Sequence, residues 1–424
     1  MKSGGGPGKV FVIGAGLAGL SAAVALAGRG IPVELIEGAA QAGGRCRSYR
    51  DPVLDMTIDN GNHLVLSGNH ATWRYLETIG AQDQLIGPPE AAFSFVDLGD
   101  GARWRIRPNA GPLAWWVFDR RRRTPGASVL DHLRLLALLG PQGERRVDQA
   151  IACRGPLWDR LMAPLLLAAL NTDPAGASAA LAGAVIGETL ARGGRAYLPR
   201  TARVGLSAAF VDPAIAFLAG HGATVRLGRR VRGLRLEDAR VAAVELAAET
   251  IELGVRDAVI LATPPWVSQA LLPGLRAPDR FSAIVNAHFR LAPPPGAASV
   301  VGVIGGLAQW IFAFPDRLSV TVSAADALLE DDREALARRL WRDVAAVHAL
   351  PVPLPPWQIV KERRATFAAT ADQDARRPPA RTDVGNLILA GDWTMTGLPA
   401  TIEGAIRSGE TAAHLAAAGR QKTR

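Results

Sequence analysis

The run Val10-Phe11-Val12-Ile13-Gly14-Ala15-Gly16-Leu17-Ala18-Gly19 decides the fold. Residues 10–14 (VFVIG) form a short apolar run, which predicts a buried parallel strand. Residues 17–29 are Ala-rich and predict a helix; residues 32–36 (PVELI) predict a second strand. Strand, glycine turn, helix and strand make a βαβ unit. Each glycine has a physical task. Gly14 permits the tight turn, Gly16 lets a pyrophosphate approach the backbone, and Gly19 lets helix and strand pack closely. Leu17 and Ala18 open the helix, whose unsatisfied N–H groups and positive dipole end favour phosphate. Glu37 ends the second strand and can accept hydrogen bonds from ribose hydroxyls.

Working outward, Gly43-Gly44-Arg45 frees the backbone to bend round a cofactor and offers a cation to a phosphate or ring edge. At the other end stand Gly391-Asp392-Trp393 and Thr401-Ile402-Glu403-Gly404. There a strand runs into Gly391-Asp392, and a helix starts near Thr401. A helix N-terminus at that place would stabilise charge on a reduced ring. Glu403 also fits a plain capping acid in a first helical turn. The Gly43-Gly44-Arg45 segment, following the first motif closely, resembles the flavoprotein superfamily of amine oxidases and carotenoid desaturases. That resemblance implies FAD, held at both ends of the chain, rather than a nicotinamide. It also makes Val231, in a hairpin strand at 230–247, a candidate for backbone contact with the adenine, beside its reading as an ordinary buried strand valine. It also sets Asp59-Asn60-Gly61-Asn62-His63 beside the flavin ring, with Gly61 and Asn62 in contact.

The 424 residues, 49% hydrophobic, suffice for two to three domains. The expected class is α/β: a discontinuous Rossmann-like FAD-binding domain (1–75, 199–265 and 380–424) interleaved with an α+β substrate domain (76–198 and 266–379). Residues of about 100–198 are expected to be mostly helical. Cys46 and Cys153 form neither a disulfide framework nor a zinc pattern, so no metal is expected. They fit a reducing, cytoplasmic compartment. The uncharged run Leu291–Pro315 opens with three prolines and reads as strands and turns, not a membrane span. The net charge is +9, almost all from Arg, with no nucleic-acid motif. Trp115, Trp116 and Arg120–Arg123 suit either a membrane-surface patch at the inner face or an apolar helix beside a solvated charge run.

Four phrases narrow the resemblance: residues 59–63, Ala168-Ala169-Leu170-Asn171-Thr172, Lys361–Phe367 and Thr396–Gly404. Together they resemble the squalene-associated FAD-dependent desaturases over most of the chain. Asn62 stands where that resemblance implies Gln. It implies reductive removal of an allylic hydroxyl, taking hydroxysqualene to squalene with electrons from NADPH or another reductant. His63 is then the leading candidate for the proton donor or a structural histidine. Asn60 and Asn171 are candidates to orient the hydroxyl, or turn and cap residues. A carotenoid-type desaturase shares these features and runs the redox chemistry the other way. A flavin amine oxidase fits less well, because no Lys occurs between Lys9 and Lys361.

Overall fold

The computed structural model describes residues 8–421. Strand β1 (Val10–Ile13), helix α1 (Leu17–Ala27) and strand β2 (Val33–Ile36) open the chain. Helix α2 (His70–Thr78) precedes the hairpin of β3 (Phe93–Asp97) and β4 (Arg103–Ile106). Then come helices α3 (Val129–Arg134), α4 (Ala163–Leu170), α5 (Ala179–Glu188) and α6 (Asp212–Gly220). Strands β5 (Thr224–Arg226), β6 (Val231–Glu237), β7 (Arg240–Leu246), β8 (Thr250–Glu252) and β9 (Ala258–Leu261) follow. Next are β10 (Phe281–Phe289), β11 (Val300–Ile304), β12 (Trp310–Phe314) and β13 (Arg317–Val322). Helix α7 (Arg333–His348), β14 (Trp357–Phe367), β15 (Leu387–Leu389) and α8 (Ile402–Gln421) complete it.

The first sheet is all parallel, in the order β5-β2-β1-β9-β15. Its strands come from three separated stretches of chain. Strands β1, β2, β9 and β15 are buried at every residue, which is why they read as apolar runs, broken only in β2 by Glu34, which pairs with Lys9 and Arg226. Helix α1 lies between sheet and α8 and is buried nearly all round. Its Leu20 and Leu26 are fully buried, each contributing about 1.5–3 kcal/mol. The α1–α8 crossing is close: a Cβ at Gly409 would fall 2.2 Å from the Ala18 carbonyl oxygen. Ser21 Oγ donates to the Ile406 carbonyl across the same contact.

The second sheet has the order β14-β10-β13-β12-β11-β3-β4, with only β11 and β3 parallel. Period-two alternation gives β10 and β13 two different faces. Val285, Ala287, Phe289, Leu318, Val320 and Val322 pack against Leu336, Leu340 and Trp341 of α7. Asn286, His288, Ser319 and Thr321 alternate with them and bond among themselves and to residues 59–62.

The stretch 100–198 departs from the helical expectation at its start. Residues 103–106 form β4, because the turn at Asp97–Ala102 folds them back on β3. Beyond it the helices are short and broken by Gly and Pro rather than long.

Replacing Gly409 by Val should push α8 off α1 and lower stability by about 1–3 kcal/mol, read as a lower urea midpoint at unchanged slope.

Candidate functional site

At the first glycine turn, a Cβ on Gly19 would fall 1.8 Å from the Gly14 carbonyl oxygen, so no side chain fits there. A Cβ on Gly16 would meet nothing within 4 Å. The backbone at Gly16 is therefore approachable. The N–H groups of Ala18 and Gly19 have no acceptor among the described residues. Gly43 lies alongside, its N–H donating to the Ala15 carbonyl at 2.8 Å. Glu37 Oε2 accepts from the Ala15 N–H at 2.7 Å, and Oε1 from the Ala39 N–H at 2.8 Å. The carboxylate is thus fixed at the strand end, with lone pairs to spare for hydroxyl donors. The Arg229 N–H donates to the Glu37 carbonyl, so Val231, buried, enters β6 close by.

The C-terminal motif meets this turn directly. Arg45 Nη2 donates to both oxygens of Asp392, at 2.8 and 2.7 Å, across 347 positions. The Asp392 side chain is 8% exposed and that of Arg45 is 42% exposed, so a further anion can reach the guanidinium. Burial works against the Arg45 charge, but Asp392 outweighs it and raises the pKa. Gly391 N–H donates to Ser408 Oγ, and Trp393 Nε1 donates to the Thr263 carbonyl beyond β9. Thr401 Oγ1 caps α8 by accepting from the Gly404 N–H at 3.0 Å. The N–H groups of Ile402 and Glu403 have no acceptor among the described residues.

The Glu403 side chain takes no part in this surface. Its carboxylate accepts from the Ala71 and Thr72 N–H groups and from Thr72 Oγ1, and pairs with Arg407. It satisfies the orphan donors at the start of α2. Glu403 as a cofactor side chain is therefore corrected to a cap on another helix. The sequence concealed Arg377, a buried cation that donates to the Asp392 and Thr394 carbonyls and to Thr396 Oγ1. In a chain with this much Arg, nothing in its local pattern marks it.

Residues 59–63 form the third wall. His288 Nε2 donates to the Asp59 carbonyl at 3.1 Å while Nδ1 accepts from Ser319 Oγ at 2.8 Å. Asn286 reaches the Asn60 carbonyl and the Asn62 N–H, both at 3.5 Å. Gly61 faces the Asn286 amide. Asn60 Nδ2 donates to Glu362 at 3.1 Å, and Asn62 Nδ2 to Thr321 Oγ1 at 3.1 Å. Asn62 Oδ1 is buried with no partner among the described residues. His63 is half-buried. Burial, then the nearby Arg45 charge, lowers its imidazole to about 4. It is therefore neutral at physiological pH.

Asn171 is committed elsewhere. Its Nδ2 donates to the Ser282 carbonyl and Thr366 Oγ1, and its Oδ1 accepts from the Ala324 N–H. Buried and left-handed at the end of α4, it clamps α4 to the second sheet and has little left for a substrate hydroxyl. Thr172 Oγ1 donates to the Leu170 carbonyl at the end of α4 and accepts from the Ala369 N–H. Lys361 is tied to the Leu329 and Asp331 carbonyls, and Arg364 lies over Trp266. A cleft of about 440 Å³ beside Phe95, Trp104 and His348 contains none of the flavin-motif residues.

Residues 17–416 match the family described as flavin containing amine oxidoreductase. The hydroxysqualene dehydroxylase of Rhodopseudomonas palustris is 53% identical, covering 97% of this chain and 99% of its own. That of Sinorhizobium fredii is 51% identical over 97% and 98%. The chain belongs to the hydroxysqualene dehydroxylase family. A solved putrescine oxidase with putrescine bound shares the fold, at a TM-score of 0.70 and 19% identity over 96% of this chain and 98% of that one. This chain is an oxidoreductase and its cofactor is FAD. The residues present fit that group: an open backbone at Gly16, unaccepted N–H groups opening α1 and α8, an exposed Arg45 and an unpaired Asn62 Oδ1.

Two outcomes follow. Gly16→Val should leave the apoprotein melting curve unchanged yet lower bound flavin per protein by at least about tenfold, because its side chain fills the phosphate approach. The folded pKa values of His63 (about 4) and His288 (about 3, lowered by burial and Arg317) lie below the unfolded value near 6.5. The unfolded chain then binds more protons as pH falls below about 6.5, so stability declines from there toward pH 4 and is whole above it. Urea midpoints at pH 5 and 7.5 should show this, with a shallower decline in His63→Gln.

Proposed function

We propose that this chain catalyses reductive dehydroxylation of hydroxysqualene to squalene in hopanoid-type triterpenoid synthesis. The allylic C–O bond breaks, a C–H bond forms at the same carbon, and the oxygen leaves as water. The hydride equivalent comes from outside the chain, from NADPH or an equivalent reductant, and one further proton must reach the departing oxygen, from a donor other than the neutral His63, before the site closes to water. The observation that carries this reading is full-length identity above one half to a hydroxysqualene dehydroxylase, on a site whose flavin motifs are intact.

In this reading the pyrophosphate is held by Gly14, Gly16, Leu17, Ala18 and Gly19 with Gly43, Gly44 and Arg45. Glu37 takes a ribose and Val231 the adenine. Gly61, Asn62 and the backbone of Thr401, Ile402 and Glu403 would hold the ring, and Gly391 and Asp392 the ribityl or pyrophosphate region. Bound and reduced, FAD supplies the hydride for the new C–H bond. The domain division follows: residues 1–75, 199–265 and 380–424 bind FAD, while 76–198 and 266–379 form the substrate domain.

His63 acts in its neutral form. An imidazole lowered to about 4 is a hydrogen-bonding group at pH 7, not an imidazolium acid. It orients the leaving hydroxyl, with Asn60 beside it on the same strand end. Desolvation matters as much as donors here, because water reaching an allylic cation would restore the alcohol. The same reading sets the protein in the cytoplasm, at the inner face of the membrane that dissolves its substrate. No helix among the described residues is long and apolar enough to cross a membrane.

The test is anaerobic. Photoreduced enzyme mixed with hydroxysqualene should reoxidise with one squalene formed per flavin. If hydroxysqualene leaves the flavin reduced, while squalene or phytoene reduces the oxidised enzyme, the chain is a desaturase and the proposal fails.

A further inference from the structure

Helix α3 and the 3-10 helix that continues it from Leu135 to Leu139 are apolar on two sides. Leu135 and Leu138 point inward and are buried. Leu130, Leu133, Leu136 and Leu139 point outward, 42–57% exposed. A surface helix should carry polar residues on its outer face; one that is apolar all round lies in a core or against lipid. The face is continued by Trp115 and Phe118, 65% and 62% exposed, on a turn packed against α3. Trp116, grouped with Trp115 in the sequence, is instead buried edge-on against His132 and joins the two pieces.

Cations rim this face. Residues 113–139 hold five arginines against two aspartates. Arg120 and Arg121 are exposed, and their side chains make no ion pair among the described residues. We infer that residues 113–139 form a docking face for an anionic bilayer surface. This rests on the proposed lipid substrate, which must be taken from a membrane. Charge decides the occupant: two copies of this face in a symmetric contact would set arginine against arginine, whereas acidic headgroups meet them favourably. Exposed Trp and Leu at headgroup depth complete the fit.

The face also has a short route to the flavin site. A Cβ at Gly183 of α5 would fall 2.1 Å from the Leu138 carbonyl oxygen, so the two helical segments touch through backbone. At the far end of α5, Glu188 pairs with Arg407 of α8 at 3.1 Å, one turn beyond Glu403. From Gly183 to Glu188 the route runs over five residues of α5, about 7.5 Å of helix axis.

Flotation of the FAD-loaded enzyme with phosphatidylcholine vesicles, with and without phosphatidylglycerol, tests this. Expected is binding that needs the anionic lipid and weakens in high salt. Arg120→Glu/Arg121→Glu and Leu133→Asp/Leu136→Asp should each weaken it by at least about tenfold. Both should retain flavin and wild-type turnover of detergent-solubilised hydroxysqualene. Absence of vesicle binding, binding indifferent to lipid charge, or binding unchanged in both variants overturns the docking face. So does concentration-dependent dimerisation abolished by the Leu variant, which would make the face a contact between copies. Micellar turnover without vesicle binding would sink the docking face alone; vesicle binding without micellar turnover would sink the proposed reaction instead.

Discussion

The Arg45–Asp392 pair is the contact on which the site depends, because it fixes the first glycine turn against the last strand's loop. As an ion pair with one half-open partner it adds little stability by itself. Its weight lies in the alternative. Without Arg45, an almost fully buried carboxylate loses the partner that bonds both its oxygens and keeps only the attraction of Arg377. The loop at 391–396 is therefore held in register with Gly16 and Gly43. Arg377 grips the same loop from below through two carbonyls, so both its charge and its backbone are fixed. A cofactor long enough to touch α1 and α8 together meets two helix starts that were aimed before it arrived.

The second sheet supplies the opposing wall through alternation. From Val285 to Phe289 of β10 and from Leu318 to Val322 of β13 every second residue is apolar and packs with α7; the residues between are Asn286, His288, Ser319 and Thr321. A one-residue slip would exchange the two faces and place His288 in the α7 core. Further along the same sheet, Trp310, Phe312, Phe314 and Phe95 pack with the helical stretch that includes Trp158 and Leu166. The sheet thus presents polar contacts to residues 59–62 and aromatic surface beside them.

Much of this was legible in the sequence where the signal is local. The βαβ unit, helix α2, the hairpin of β6 and β7, and helix α7 follow from period, glycine turns and apolar runs within a few residues of expectation. The failures share a cause: they concern what a side chain meets far away. Glu403 looks like a first-turn acid serving its own helix, yet it bonds α2, 331 positions earlier. Asn171 sits in a polar phrase that suggests chemistry, yet it stitches α4 to β10 and β14. His288 and Asn286 lie in an unremarked strand, and only pairing with β13 shows which face they take. Trp115 and Trp116 are neighbours in sequence, and a short turn sends one out and one in.

The lowered imidazole of His63 links the site's electrostatics to its chemistry. The burial that, with Arg45, lowers the His63 imidazole would also limit the water beside a cation formed there. A wet site would return both: an imidazole near 6.5 able to donate a proton, and a nucleophile able to recapture the carbon. Reductive dehydroxylation gains more from excluding the second than from keeping the first, since recapture undoes the step while the hydroxyl can still be oriented by a neutral N–H. An enzyme working by this compromise must seal its site around a substrate that is itself almost wholly apolar. In the proposed reaction a long isoprenoid would then serve as its own barrier to water.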